Sequence, residues 1–182
     1  MSHIAIIVGS LRKESYNRRL ANAMIRLPAA QGHRFSFAEI GALPLYNQDS
    51  DKNPPEAAQE FKQAILAADG LLFVTPEYNR SIPGVLKNAI DHCSRPYGES
   101  GWTGKPAGIV GVSPGATGTA MAQQHLRNVL ASLDVLTMAL PEIFLKWSDD
   151  LLTADGEVGE RSHAFLDRWM VRFLHHVERH SG

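Results

Sequence analysis

A single cysteine, Cys93, stands in a chain of 182 residues. That excludes a disulfide, a Cys-x-x-Cys redox pair and a thiolate metal cluster, and it fits a reducing, cytoplasmic setting. No apolar run approaches the roughly 18 residues of a membrane span, and no charged segment precedes an apolar one at the N-terminus. Neither sign of charge is in excess: 18 Lys and Arg face 19 Asp and Glu, for a net charge of −1. The basic face of a nucleic-acid binder is therefore not expected. No linker, repeat or low-complexity stretch interrupts the chain, so one domain over residues 1–182 is expected.

Two nucleotide signatures are missing as well. A dinucleotide fingerprint needs G-x-G-x-x-G, and after the first apolar run only Gly9 is present. The nearest approach to a P-loop, Gly101-Trp-Thr-Gly-Lys-Pro106, has the wrong glycine spacing and a proline where the magnesium-binding hydroxyl belongs. The first strand ends in Gly9-Ser10, without the acidic cluster of a response regulator. His175, His176 and His180 form no pair set beside an acid in a ligand arrangement, and no metal is expected.

What is present is a regular alternation of short apolar runs and helical periodicity. Strands are predicted at His3–Val8, Arg34–Glu39, Gly70–Thr75, Ala107–Val112 and Asp134–Met138. Ile6-Ile-Val8 and Leu71-Leu-Phe-Val74 are continuous, as in strands buried on both faces. Leu20, Met24 and Leu27 recur at helical spacing, as do Ala58, Phe61 and Ile65, and Ala122, Leu126, Val129 and Leu133. A last helix carries Phe165, Leu166, Trp169, Met170, Phe173, Leu174 and Val177 on one broad face. Five such repeats predict an α/β protein with a flavodoxin-like, doubly wound, five-stranded parallel sheet in the order 2-1-3-4-5.

In that order strands 1, 3 and 4 are neighbours, and three unusual loops meet at their carboxyl edge. They are Gly9-Ser-Leu-Arg-Lys-Glu-Ser-Tyr-Asn17, Pro76-Glu-Tyr-Asn-Arg-Ser-Ile-Pro-Gly84 and Ser113-Pro-Gly-Ala-Thr-Gly118. Open α/β sheets bind ligands at this switch point. The first loop offers hydroxyl, amide and guanidinium donors from Ser10, Ser15, Asn17 and Arg12, beside the free N–H groups of a helix start. Hydrogen bonds to a charged group contribute about 1.5–3 kcal/mol each, so two or three would hold a phosphate monoester without a metal. The plainer alternative is that Ser15 or Asn17 only caps the helix. The second loop, stiffened by Pro76 and Pro83 and carrying Tyr78, suits a flat heteroaromatic ring; alone it reads equally as a rigid turn. Cys93 reads as a small packed residue, and Lys87 with Asp91 as a helix-surface pair.

The pattern GS-x-R-x-x-S-x-N, followed by PEYN-x-S-x-PG-x-LKNA-x-D, resembles the NAD(P)H-dependent FMN reductase family, in particular its bacterial quinone and chromate reductases. The resemblance runs from about Ile4 to Glu142 and includes Leu43-Pro-Leu-Tyr-Asn-Gln-Asp49 and His125-Leu-Arg127. It implies FMN as cofactor and NADPH or NADH as electron donor. Ser10, Arg12, Ser15 and Asn17 would surround the FMN phosphate. Pro76, Glu77, Tyr78 and Asn79 would run along the ring with Ser81 nearby, and Ser113, Gly115 and Gly118 would line it from the third loop. No side chain is expected to act as nucleophile or base, since the cofactor carries the chemistry. Backbone N–H groups of the third loop or a helix terminus would favour the anionic reduced ring. Acceptors would be quinones, chromate, azo or nitro compounds or free flavin, reached by a ping-pong route. A homodimer or homotetramer is implied, with Arg127 and Glu142 meeting across an interface. Two departures stand out: SPGATG replaces an S-x-G-x-x-G-G run, and His92-Cys93 occupies a place where an aromatic is frequent. The competing readings are a flavodoxin-type electron carrier without NAD(P)H activity of its own and a nucleoside enzyme with Glu77 as nucleophile.

Overall fold

The structure, a computed structural model, describes residues 1–181. The apolar run His3–Val8 forms β1, and Tyr16–Met24 follows as α1. Next come β2 (Arg34–Phe37), α2 (Glu56–Leu66), β3 (Gly70–Val74) and α3 (Gly84–Cys93). The second half holds β4 (Pro106–Ser113), α4 (Ala120–Ala131), β5 (Leu136–Thr137), β6 (Phe144–Lys146) and α5 (Glu160–His180). All pairings are parallel, in the order β2-β1-β3-β4-β5, with β6 also on β4. The predicted order holds, and every residue of β3 and β4 is buried.

Because side chains alternate across a strand, the sheet feeds two cores. Ile4, Ile6, Val8, Leu72, Val74 and Val110 pack under α1 and α5. Ala5, Ile7, Leu71, Phe73 and Ile109 pack under α2, α3 and α4. The predicted face of α5 is buried from Leu166 to Val177, whereas Phe165 at its rim is exposed. The two fully buried indoles keep their N–H groups satisfied, Trp102 by Ile90 O and Trp169 by Pro141 O, both at 2.9 Å.

The fifth strand differs from its prediction. Asp134 adopts a left-handed backbone (φ 58°), and the Val135 N–H reaches back to Leu130 O at 3.1 Å. Residues 134 and 135 therefore finish α4 instead of starting a strand. The strand runs for two residues, the chain detours through Pro141, and pairing with β4 resumes at β6, where Gly111 to Ser113 meet Phe144 to Lys146. The remaining boundaries shift by one or two residues at strand ends. At the far end of β2, the Ala38 N–H still extends the ladder to Ile6 O at 2.9 Å.

Candidate functional site at the carboxyl edge of β1, β3 and β4

The three loops converge as the strand order requires, and close backbone approach makes this possible. A Cβ on Gly9 would lie 2.6 Å from Thr75 Oγ1, and one on Gly111 would collide with Thr75 O. Thr75, fully buried, thus fills the space between two side-chain-free positions, one just past β1 and one on β4.

In the first loop Ser15 is the N-cap of α1, its Oγ accepting from the Arg18 N–H at 3.3 Å. Arg19 N–H bonds Ser15 O, so the N–H groups of Tyr16 and Asn17 are left without partners among the described residues. Ser10 Oγ accepts from Arg12 N–H at 3.3 Å. The Arg12 guanidinium is exposed, forms no ion pair among the described residues, and lies 5.0 Å over the Tyr16 ring. Tyr16 in turn stacks on Trp147 with ring centroids 4.0 Å apart, and the Arg19 guanidinium lies 4.8 Å from the centroid of the Trp147 ring. These contacts among Arg12, Tyr16, Trp147 and Arg19 hold the loop beside the start of α1. Neither Tyr16 nor Trp147 was flagged by the sequence, and Trp147 has no local signal that would have found it.

Asn17 is placed differently from a simple phosphate ligand. It is 2% exposed, and its carboxamide donates to Val112 O at 2.9 Å while accepting from Val112 N–H at 3.0 Å. β3 has ended before this level of the sheet, and the side-chain amide satisfies both backbone groups of β4 in the manner of a neighbouring strand. What Asn17 leaves open to the loop is its backbone N–H.

The second loop turns through a tight hairpin. Tyr78 and Ser81 exchange both backbone hydrogen bonds, at 2.9 and 3.0 Å, across Asn79 (φ 51°) and Arg80 (φ 64°). Two side-chain bonds fasten it to α4: Ser81 Oγ to His125 Nδ1 at 2.9 Å, and Glu77 Oε2 to the Ala122 N–H at 3.0 Å. Pro76 is buried, and Tyr78 is 49% exposed with no hydrogen bond through its hydroxyl among the described residues.

The third loop closes on itself. Ser113 Oγ donates to Gly118 O at 2.7 Å and accepts from Gly115 N–H at 3.1 Å. Gly118 sits at φ 59° with Phe144 and Leu145 backbone atoms within 2.9 Å of where a Cβ would be, so both its conformation and its neighbours demand glycine.

Behind the site, the Leu43–Asp49 segment is held by the α3 motif. Asn88 accepts from Tyr46 N–H and donates to Pro44 O, each at 2.8 Å, and His92 Nε2 bonds Pro44 O at 2.9 Å. Arg95 bonds Asp51 through Nε at 2.7 Å and holds its carboxyl below the ordinary range, while Tyr46 OH donates to the same carboxylate at 3.0 Å. Desolvation, then the Asp51 hydrogen bond, push the Tyr46 phenol up. Cys93 is buried and its thiol is pushed up to about 12, chiefly by desolvation. Lys87 and Asp91 pair at 2.7 Å on the helix surface. Arg127 and Glu142 meet within the chain, Nε to Oε1 at 3.1 Å, and Arg127 Nη1 also donates to Met138 O at 2.9 Å.

Comparisons with known proteins find similar chains among reductases. A 2-hydroxy-1,4-benzoquinone reductase from a Burkholderia species is 52% identical over 171 residues, 93% of each chain. A quinone reductase of Pseudomonas putida is 47% identical over 176 residues, covering 96% of this chain and 94% of its own. Among solved structures, FerB, a flavoenzyme NAD(P)H:(acceptor) oxidoreductase from Paracoccus denitrificans, superposes with a TM-score of 0.93 at 41% identity, covering 99% of both chains. A flavodoxin of Pseudomonas aeruginosa, at 20% identity and a TM-score of 0.60, shares the fold. The description "NADPH-dependent FMN reductase" fits residues 2–148. With that match and those relatives, the chain belongs to the NADPH-dependent FMN reductase family.

Proposed function

We propose that the protein is an FMN-dependent NAD(P)H oxidoreductase that reduces quinones and similar small acceptors. The observation that carries this reading is the pair of unpartnered N–H groups of Tyr16 and Asn17 beside the unpaired Arg12, at the switch point between β1 and β3. A helix N-terminus with an adjacent guanidinium suits an anion such as a terminal phosphate. The loop lacks the second and third glycines by which a dinucleotide fingerprint brings its backbone close to a pyrophosphate.

The residues present fit FMN. Ser10, Arg12 and the first turn of α1, begun by Ser15 and Asn17, would hold its phosphate. The hairpin of Pro76, Glu77, Tyr78, Asn79 and Ser81 would border the ring on one side, and the loop of Ser113, Gly115 and Gly118 on the other. When bound, FMN supplies hydride acceptance from NADPH or NADH and electron delivery to the acceptor. The protein's part is to position. The hairpin, fastened twice to α4, presents a rigid edge, and the half-exposed Tyr78 borders a face on which donor and acceptor would stack in turn. One face used twice predicts ping-pong kinetics, with parallel double-reciprocal lines. Residence in the cytoplasm and a homodimer or homotetramer complete the proposal. The exposed side chains of Leu45 (89%) and Tyr78 offer apolar surface that such pairing would cover.

The test is an anaerobic absorbance spectrum of FMN-supplemented, desalted protein before and after NADPH. Retained flavin bands that bleach support the reading. Retained bands that persist indicate an electron carrier, and no retained flavin returns the first loop to the role of a helix cap.

A further inference from the structure

The N-terminus of α4 follows the third loop and opens on the same edge of the sheet as the first two. Its own N-cap, Thr119, makes no capping bond; the Thr119 hydroxyl accepts instead from Gln123 Nε2 at 2.9 Å. The cap comes from 45 residues away, where Glu77 Oε2 accepts from the Ala122 N–H at 3.0 Å. A carboxylate therefore sits on the positive end of the helix that follows the third loop.

We propose that Glu77 is a positioning residue with an electrostatic consequence: it fastens the second loop to α4 and, by neutralising that helix terminus, lowers the reduction potential of the bound flavin. This rests on the flavin reading above. Hydride transfer from a nicotinamide moves two electrons and one proton to the ring, so the donor leaves as a cation and the ring gains one negative charge. An unoccupied helix terminus would stabilise that charge. A terminus already carrying Glu77 does not, and the carboxylate adds repulsion, so the reduced ring is held less tightly and passes its electrons on more readily. A neutral amide at this position keeps the acceptor oxygen for Ala122 and removes only the charge.

The experiment compares FMN-loaded wild type, Glu77→Gln and Glu77→Ala by midpoint potential against reference dyes, with melting of the same apoproteins. Glu77→Gln is expected to tighten reduced over oxidised FMN about tenfold, which is a rise of about 30 mV for a two-electron couple. Its melting temperature should stay close to wild type, whereas Glu77→Ala, which leaves Ala122 N–H without its partner, melts lower. An unchanged potential in Glu77→Gln with FMN retained overturns this proposal and leaves the flavin reading standing. Wild-type protein that retains no FMN overturns both. A Glu77→Gln protein that does not fold shows that the charge serves the cap alone, and overturns the role at the flavin.

Discussion

Asn17 offers the sharpest test of how this site is built. Its side-chain amide is buried and serves both the N–H and the C=O of Val112 on β4. Asn17→Ala would strip two buried backbone groups of their partners at once. Each unsatisfied group costs about 1–3 kcal/mol, so the expected loss is about 2–4 kcal/mol once partial relaxation is included. In urea, with a slope of about 2 kcal/mol per molar, the midpoint should fall by about 1–2 M. The apoprotein is the right sample, because a residue that served only the cofactor would leave it unchanged. Asn17→Asp sharpens the assay. Its carboxylate still accepts from Val112 N–H, but only the protonated acid donates to Val112 O. The folded pKa of that acid is therefore raised. Its contribution is fully present below the unfolded value of about 3.9 and is lost as pH rises through the folded value. Asn17→Asp should thus recover stability, relative to wild type, on acidification. An Asn17→Ala midpoint within about 0.3 M of wild type, well under 1 kcal/mol by the same slope, would refute the strand-like role.

Arg12→Ala should weaken FMN binding by about 10- to 100-fold, the loss of a charge-assisted contact of roughly 1.5–3 kcal/mol, with little change in hydride transfer at saturating FMN. Fluorescence titration measures it, and equal dissociation constants would remove Arg12 from the phosphate site. Cys93, buried with its thiol pushed up to about 12, should resist thiol reagents at pH 8 in the native protein and react on unfolding; rapid labelling of folded protein would contradict that. Asp51, held low by Arg95, should contribute stability above the unfolded carboxylate range and lose it as pH falls through its depressed folded value. Asp51→Asn should therefore flatten the acid limb of the stability profile, and an unchanged limb would show that the pair contributes nothing.

Much of this protein is written in one dimension. Periodicity and apolar runs report burial residue by residue, so β1, β3 and β4, the buried face of α5 and the order of elements could be read from the chain alone. Strand order followed, because parallel connections with short crossovers permit few arrangements. The convergence of the loops at one edge followed from that order. Within the stretches the sequence singled out, Ser15 is the cap of α1, Arg12 forms no ion pair among the described residues, and the glycine at 118 stands at a positive φ.

Partnership over distance was not legible. β6 is three residues long and exists only because β4 extends beyond β5, and Asp134 looked like the start of a strand until its left-handed turn ended α4. Asn17 reaches Val112 across 95 positions, Glu77 reaches Ala122 across 45, and Tyr16 finds Trp147 from the other end of the chain. Arg127 and Glu142 also come together inside the chain, Nε to Oε1 at 3.1 Å. The composition of a loop shows which donors and acceptors it carries, but their partners depend on which backbone groups the packed sheet leaves unsatisfied. Residue types and their spacing determined that a loop rich in hydrogen-bond donors would stand at the switch point; only the tertiary structure decided that Asn17 would be consumed by β4 and that Glu77 would cap α4 from the second loop.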